Sequence, residues 1–119
     1  MPQHVYLLVE LTIHEGKFAA FEATAKQMIA DTPNEPGAVG YEWHLSPDRK
    51  RCRILEKYAD ANAILAHLKG PVVQQLVPKM LESSAIDRAE VYGDPGTEGR
   101  EMLMEFGAGI FDRWQGFHR

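Results

Sequence analysis

The sequence predicts one α+β domain whose elements follow the order β-α-β-β-α-β. Its 119 residues are 45% hydrophobic and 25% charged, which is the composition of a single ordinary globular domain. Along the chain, the spacing of apolar residues alternates between the strand period of about two and the helix period of about 3.6. Clusters of Pro, Gly, Asp and Ser separate these segments, as turns do.

The first strand and the first helix are marked by a change in apolar spacing. Val5 to Ile13 is almost continuously apolar, which is typical of a strand buried on both faces. From Lys17 to about Thr32 the apolar residues recur at helical spacing, and Pro33 ends this predicted helix.

A predicted antiparallel hairpin follows the helix. Residues 38–45 alternate in polarity, and residues 46–48 (Ser-Pro-Asp) predict a turn. Residues 51–58 then form the second strand of the pair. By the two-residue period, one face of the first hairpin strand carries Val39, Tyr41, Trp43 and Leu45.

The remaining elements of the core are two helices and a strand. Asp60 caps a predicted helix over residues 60–68. A second short helix is predicted over residues 71–81, with a break just before Pro78 because proline disrupts a helix interior. Residues 85–92 form the last predicted strand.

This order is the split βαβ plan of ferredoxin-like domains, and we assign it to residues 1–95. It predicts a four-stranded antiparallel sheet with helices on one face only. Tyr6 and Leu8 nonetheless make the second face of the first strand apolar. A second copy of the chain is the simplest cover for such a face, so we expect a homodimer.

Residues 96–119 form a predicted helical extension. Its apolar face carries Met102, Leu103, Phe106, Ile110, Phe111 and Trp114. The glycines of Gly107-Ala108-Gly109 each lower helix propensity by roughly 1 kcal/mol, so packing must hold the segment. We expect it to pack on the core or on the dimer partner; a lid over a pocket is the alternative.

Composition and residue spacing exclude several classes of function. The net charge is −4 and the basic residues are scattered, which argues against nucleic-acid binding. Neither a signal peptide nor an apolar run of membrane-spanning length is visible, and the single Cys52 cannot form an intrachain disulfide. We therefore expect a cytoplasmic protein without a membrane partner. The five histidines lack metal-site spacing, so no metal is expected.

Three segments carry a resemblance to a known family. They are residues 35–44 (EPGAVGYEWH), 54–60 (ILEKYAD) and 63–68 (AILAHL). Together they resemble the antibiotic biosynthesis monooxygenases, which include quinol monooxygenases, and the similarity spans about residues 4–93. The signature is a Glu-x-aromatic at the end of the third strand, followed by a helix that ends in a histidine.

The resemblance implies a dimeric α/β barrel with one pocket per subunit between sheet and helices. Such relatives oxidise quinols or polyphenols with molecular oxygen, and they use no metal, flavin or haem. The implied function is therefore a cofactor-independent monooxygenase whose partners are a small aromatic substrate and oxygen. The protein would bind the substrate, remove a proton and exclude water.

Glu56 and His67 are the predicted catalytic residues. Glu56 shares a strand face with Ile54 and Tyr58, and the resemblance turns that face toward the helices. A buried carboxylate needs a partner, and His67 beside the apolar stripe of the next helix can provide it. Two interpretations stay open: an acid–base pair that works near neutral pH, or a structural link between helix and strand.

The predicted substrate-binding residues are Tyr58, Trp43, Tyr41 and Ile54. The aromatic rings among them offer flat surfaces for an aromatic ligand, although core packing is the commoner role of such residues. Two other functions stay open on the same fold. One is a non-catalytic ligand-binding or stress-response dimer, and the other is an isomerase or lyase that uses the same acid–base pair.

Overall fold

A five-stranded sheet with helices packed on one face forms the core of the computed structural model, which describes residues 3–119. A π-helical turn, Val72–Leu76, runs directly into the short α-helix Val77–Met80. In chain order the elements are β1 (Val5–Ile13), α1 (Phe18–Asp31), β2 (Ala38–Leu45), β3 (Arg51–Tyr58), α2 (Ala61–Lys69), α3 (Val77–Met80), β4 (Ser84–Tyr92), α4 (Gly96–Glu105) and β5 (Gly109–Phe111).

The strand order in the sheet is β2-β3-β1-β4-β5. The first four strands pair antiparallel, which confirms the ferredoxin-like α+β fold. The predicted four-stranded sheet is corrected in one respect, because β5 pairs parallel to β4 at the edge. The sheet is therefore mixed and has five strands.

The two faces of the sheet differ in what covers them. The β1 side chains alternate, so that Val5, Leu7, Val9, Leu11 and Ile13 are buried against the helices. Those between them point to the opposite face, where in the single chain Tyr6, Leu8 and Glu10 are partly buried and Thr12 is exposed. The opposite face, which no helix covers, is called the open face; on it, Leu55 of β3 is 47% exposed.

A β-bulge changes the face on which Val39 lies. Ala38 pairs with Tyr58 but Gly40 pairs with Lys57, so one residue of β2 is inserted between the two pairs. The insertion breaks the alternation, and Val39 is 52% exposed rather than beside Tyr41 as predicted. Beyond the bulge, the strand keeps the predicted alternation.

The segment around Pro78 has the predicted break. The π-helical turn ends at Leu76, and the α-helical residues begin at Val77 with Pro78 in the first turn. A proline is tolerated in the first turn of a helix because its missing N–H has no partner to lose there. None of the helices within residues 3–119 has the length and apolar character needed to span a membrane.

The C-terminal extension is not the continuous helix that the sequence predicts. Helix α4 ends at Glu105, and Gly107 adopts a positive φ of 81°, the left-handed conformation that commonly ends helices. The Ala108 N–H donates to the Leu103 carbonyl at 2.9 Å and turns the chain into β5. Leu103 and Ala108 are buried against the core of the same chain, whereas Trp114 is 88% exposed.

Candidate active site

A cavity of about 70 Å³ lies between the inner face of the sheet, the four helices and the segment before β5. Its wall is apolar except for three side chains, Tyr41, Glu56 and His67. Leu103, Phe106 and Ala108 of the extension form part of the wall. Ligand pockets usually measure about 300–1,000 Å³, so a drug-sized ligand would have to displace part of this wall.

Strand β3 places Glu56 in that wall. Cys52, Ile54, Glu56 and Tyr58 alternate with exposed residues and face the helices, as predicted. In register, Glu56 is flanked by Leu7 of β1 and Tyr41 of β2. The Tyr58 hydroxyl donates a hydrogen bond to Oε1 of Glu56. The carboxyl is thus buried on the inner face of the sheet, where it accepts a hydrogen bond from a single hydroxyl.

Helix α2 brings His67 to the carboxyl. Asp60 caps the helix by accepting the Ala63 N–H at 2.9 Å, as predicted. The buried face of α2 then carries Ile64, His67 and Leu68. Nε2 of His67 lies 3.5 Å from Oε1 of Glu56. The two predicted catalytic residues therefore meet across the strand–helix junction.

A second carboxylate contacts the opposite nitrogen of the same imidazole. Oε1 of Glu35 lies 2.7 Å from Nδ1 of His67. Glu35 precedes β2 in a short loop, and its Oε2 is buried without a hydrogen-bond partner. The imidazole is therefore held between Glu35 on one side and Glu56 on the other.

Sequence reasoning missed Glu35 as a site residue. The only signal was its position in the segment Glu35-Pro36-Gly37 that carries the family resemblance. A Cβ on Gly37 would lie 2.3 Å from the Cβ of Ala63, so only glycine lets this loop rest on α2. His67 lies one turn after Ala63 on the same side of the helix, which explains why Glu35 reaches it.

Burial controls the acid–base behaviour of the site. Desolvation raises the pKa of Glu56, while His67 and the Tyr58 hydrogen bond oppose the rise and the Glu35 charge adds to it. Burial and the nearby Glu56 also raise the pKa values of Tyr41 and Tyr58, which therefore stay protonated near neutral pH. The groups that can exchange a proton with a ligand in the cavity are thus Glu56 and His67.

The four predicted substrate-binding residues occupy two kinds of position. Tyr41 and Ile54 line the cavity, but Trp43 and Tyr58 do not. The Trp43 ring packs 6.0 Å from Phe21 and 5.9 Å from Tyr41, in a groove outside α1. Tyr58 is fully buried behind Glu56, with its ring 5.0 Å from that of His67.

The two carboxylates do not form a metal-binding group with His67. They contact opposite nitrogens of the ring, so their oxygens cannot converge with one nitrogen on a common ion. Among residues 3–119, no three His, Cys, Asp or Glu side chains are grouped closely enough to hold a metal ion.

Residues 4–79 match the profile of the family described as antibiotic biosynthesis monooxygenase. The match covers more than half of the chain, so the protein belongs to this family. The resemblance noted in the sequence is thereby confirmed. No curated protein sequence matches the chain.

Solved structures share the fold. MupZ from Pseudomonas fluorescens is 26% identical with a TM-score of 0.83, and the alignment covers 98% of this chain and 95% of MupZ. SnoaB, a cofactor-independent oxygenase from Streptomyces nogalater, is 19% identical with a TM-score of 0.67 over 79% of this chain and 95% of SnoaB. A conserved protein from Bacteroides thetaiotaomicron is 23% identical with a TM-score of 0.69, over 76% and 97% of the two chains. The coverage of MupZ includes the C-terminal extension.

Proposed function

We propose that the protein is a cofactor-independent monooxygenase that oxidises a small aromatic quinol or polyphenol with molecular oxygen. The observation that carries the proposal is the buried Glu56–His67 pair in the wall of an otherwise apolar cavity. Membership of the antibiotic biosynthesis monooxygenase family supports it. The description of SnoaB as a cofactor-independent oxygenase also supports it, at the level of the shared fold.

A quinol can supply every electron that this reaction needs. Glu56 and His67 remove a hydroxyl proton, and the resulting anion is electron-rich enough to reduce oxygen. Oxidation of the hydroquinone to a quinone provides two electrons, and hydroxylation of one ring carbon provides the other two. One oxygen atom enters the ring and the other leaves as water. The apolar wall excludes bulk water from the reactive anion.

The lining residues have separate roles in this proposal. Tyr41 and Ile54 contact the substrate, and the Tyr41 hydroxyl stays protonated as a hydrogen-bond donor. Tyr58 acts through its hydrogen bond to Glu56. Trp43 supports Tyr41 from outside the cavity, at a ring separation of 5.9 Å.

Substrate entry requires the cavity to widen. Phe106 lies in the wall but is half-exposed, and Gly107 follows it at a chain reversal. Movement of this corner would open the cavity without disturbing the sheet. A flat aromatic ring could then replace the Phe106 ring against the apolar wall.

Oxygen uptake with a panel of reduced naphthoquinols tests the proposal. We expect enzyme-dependent uptake that falls by about 10²-fold or more in Glu56→Gln and His67→Ala, because general acid–base groups contribute that much. Glu22, an exposed glutamate of α1, and the exposed His14 provide matched controls away from both the cavity and the open face of the sheet. Glu22→Gln and His14→Ala should keep wild-type uptake. Uptake no faster than autoxidation for the wild type would rule the function out.

A second candidate is an isomerase or lyase that uses the same residues without oxygen. The observation that favours it is the carboxylate at each nitrogen of His67, an arrangement that handles protons whatever the oxidant. Such an enzyme would turn over its substrate equally well under nitrogen. Loss of turnover under nitrogen would exclude this candidate.

We also propose that the protein is a homodimer formed through the open face of the sheet. Tyr6, Leu8, Val39 and Leu55 surround a shallow depression on that face. Burying such a surface against a second copy would remove apolar area from water. The cytoplasmic location expected from the sequence stays a prediction.

A further inference from the structure

We propose that Glu35 is a positioning and relay residue through which the buried Glu56–His67 pair exchanges protons with solvent. This inference rests on the proposed acid–base role of that pair. Side-chain exposure is 5% for Glu56 and 4% for His67, but 18% for Glu35. Of the three side chains, that of Glu35 is the most exposed, although its Oε2 atom is buried.

Glu35 borders a second cavity, of about 390 Å³, which shares no lining residue with the substrate cavity. The polar residues that line this outer cavity are Gln27, Asp31, Asn34, Glu35 and Gln75, and the apolar residues Pro71, Val72 and Leu76 complete its wall. The row of polar groups that begins at Glu56 and passes through His67 therefore ends at Glu35, on the border of the outer cavity.

The other polar groups near the pair are poor proton carriers. Tyr41 and Tyr58 hold their protons because burial and the Glu56 charge raise their pKa values. Once a substrate fills the inner cavity, water cannot reach Glu56 from that side. A proton can then leave the Glu56–His67 pair through the short contact of 2.7 Å between His67 and Glu35. Asp31 is the other titratable group that lines the outer cavity.

The proposed reaction has a proton to dispose of. Oxidation of a quinol to a hydroxyquinone removes two hydroxyl protons and one ring proton, and two of these three end in water. A hydroxyquinone is a vinylogous carboxylic acid that ionises near neutral pH, so its own hydroxyl proton is also lost to solvent. A proton taken up at Nε2 of His67 is balanced by one that leaves Nδ1 for Glu35 and then the outer cavity. The ring keeps the same number of protons.

Proton exchange in the ligand-free protein tests the relay without any substrate. The rate at which the ring N–H of His67 exchanges with water can be measured by ¹H–¹⁵N NMR. We expect Glu35→Gln to slow this exchange by about tenfold or more, because the amide cannot take up the proton. Glu22→Gln, which alters the exposed pair with Lys26 on α1, should leave the His67 rate unchanged. Wild-type exchange in Glu35→Gln would overturn the relay.

Glu35→Asp provides a second variant if the glutamine variant does not fold. It keeps the carboxylate but shortens the side chain, so we expect exchange between the wild-type and glutamine rates. An aspartate variant that exchanges as fast as wild type while its His67 contact is lost would overturn the proposal. Oxygen uptake separates this failure from that of the proposed function. If Glu35→Gln slows the exchange but the wild type shows no quinol-dependent oxygen uptake, the relay is retained and the monooxygenase function is rejected.

Discussion

A Cβ atom on Gly37 would lie 2.3 Å from the Cβ of Ala63, so the loop before β2 rests directly on the first turns of α2. The Gly37 carbonyl also accepts the Ala59 N–H at 2.9 Å, which fixes the loop to the strand–helix junction. Glu35 lies two residues before this contact and His67 lies one helical turn after it. The pairing of Glu35 with His67 therefore depends on the absence of a side chain at position 37.

Gly37→Ala should destabilise the protein and weaken the Glu35–His67 contact. The added methyl cannot fit without moving the loop or the helix, and overpacking of this kind costs about 1–3 kcal/mol. Urea unfolding measures the change in the free energy of unfolding. In the double variant Gly37→Ala/Ala63→Gly, removal of the opposing methyl should recover part of the loss.

Gly99 in α4 provides a matched control for the glycine substitution. An added Cβ there would meet the Cβ of Pro95 at 3.4 Å, which is ordinary contact. Alanine is favoured over glycine within a helix by roughly 0.5–1 kcal/mol, so Gly99→Ala should be neutral or stabilising. If Gly37→Ala and Gly99→Ala lowered the free energy of unfolding equally, the close contact of Gly37 with Ala63 would not be the cause of the loss.

The stability of the protein should depend on pH through Glu56. Burial raises the pKa of Glu56 in the folded state above its ordinary value of 4.5, so the folded state binds more protons than the unfolded state between the two values. The contribution of this group is fully present below pH 4.5 and is lost as the pH rises through the folded-state pKa. The glutamine of Glu56→Gln cannot ionise. The free energy of unfolding of this variant, relative to that of the wild type, should therefore increase as the pH rises through the folded-state pKa of Glu56.

Urea unfolding at a series of pH values measures this difference. Glu22→Gln is the control, because Glu22 is an exposed glutamate on helix α1. Its unfolding curve should follow the wild type at every pH. A constant difference between wild type and Glu56→Gln across the series would contradict the raised pKa.

Cys52 should be unreactive in the folded protein. Its side chain is buried, and burial raises the pKa of the thiol to about 11. Because the thiolate is the reactive form, a thiol of that pKa is only about 0.1% ionised at pH 8. Labelling with a thiol-reactive chromophore should be slow under native conditions and fast in urea. Fast labelling of the native protein would show that the β3 face is open to solvent.

A charge on the open face of the sheet should disrupt the proposed dimer. Leu55 is exposed in the single chain, so Leu55→Asp should barely change the fold of one subunit. The buried charge would nonetheless oppose association, because an unpaired charge is costly to desolvate. Light scattering should report a dimer for wild type and a monomer for the variant. Leu81→Asp, on an exposed leucine after α3, is the control and should stay dimeric.

Local sequence patterns predict most of this fold because they report local conformation. The alternation of β3 placed Glu56 on one face with Ile54 and Tyr58, the family resemblance turned that face toward the helices, and the apolar stripe of α2 placed His67 beside the core. Their meeting at 3.5 Å followed from the β-α-β-β-α-β order. The fifth strand was not predicted, because Gly107 ends α4 through a conformation that helical apolar spacing does not reveal.

The sequence by itself determined the β-α-β-β-α-β order of the core, the family and two of the three groups at the centre of the site. Only the tertiary structure brought Glu35 to His67, 32 residues away in the chain, and turned Trp43 and Tyr58 away from the cavity. Periodicity fixes the face on which a side chain lies. It does not fix how closely a loop approaches a helix, since that distance depends on steric contacts such as the one between Gly37 and Ala63.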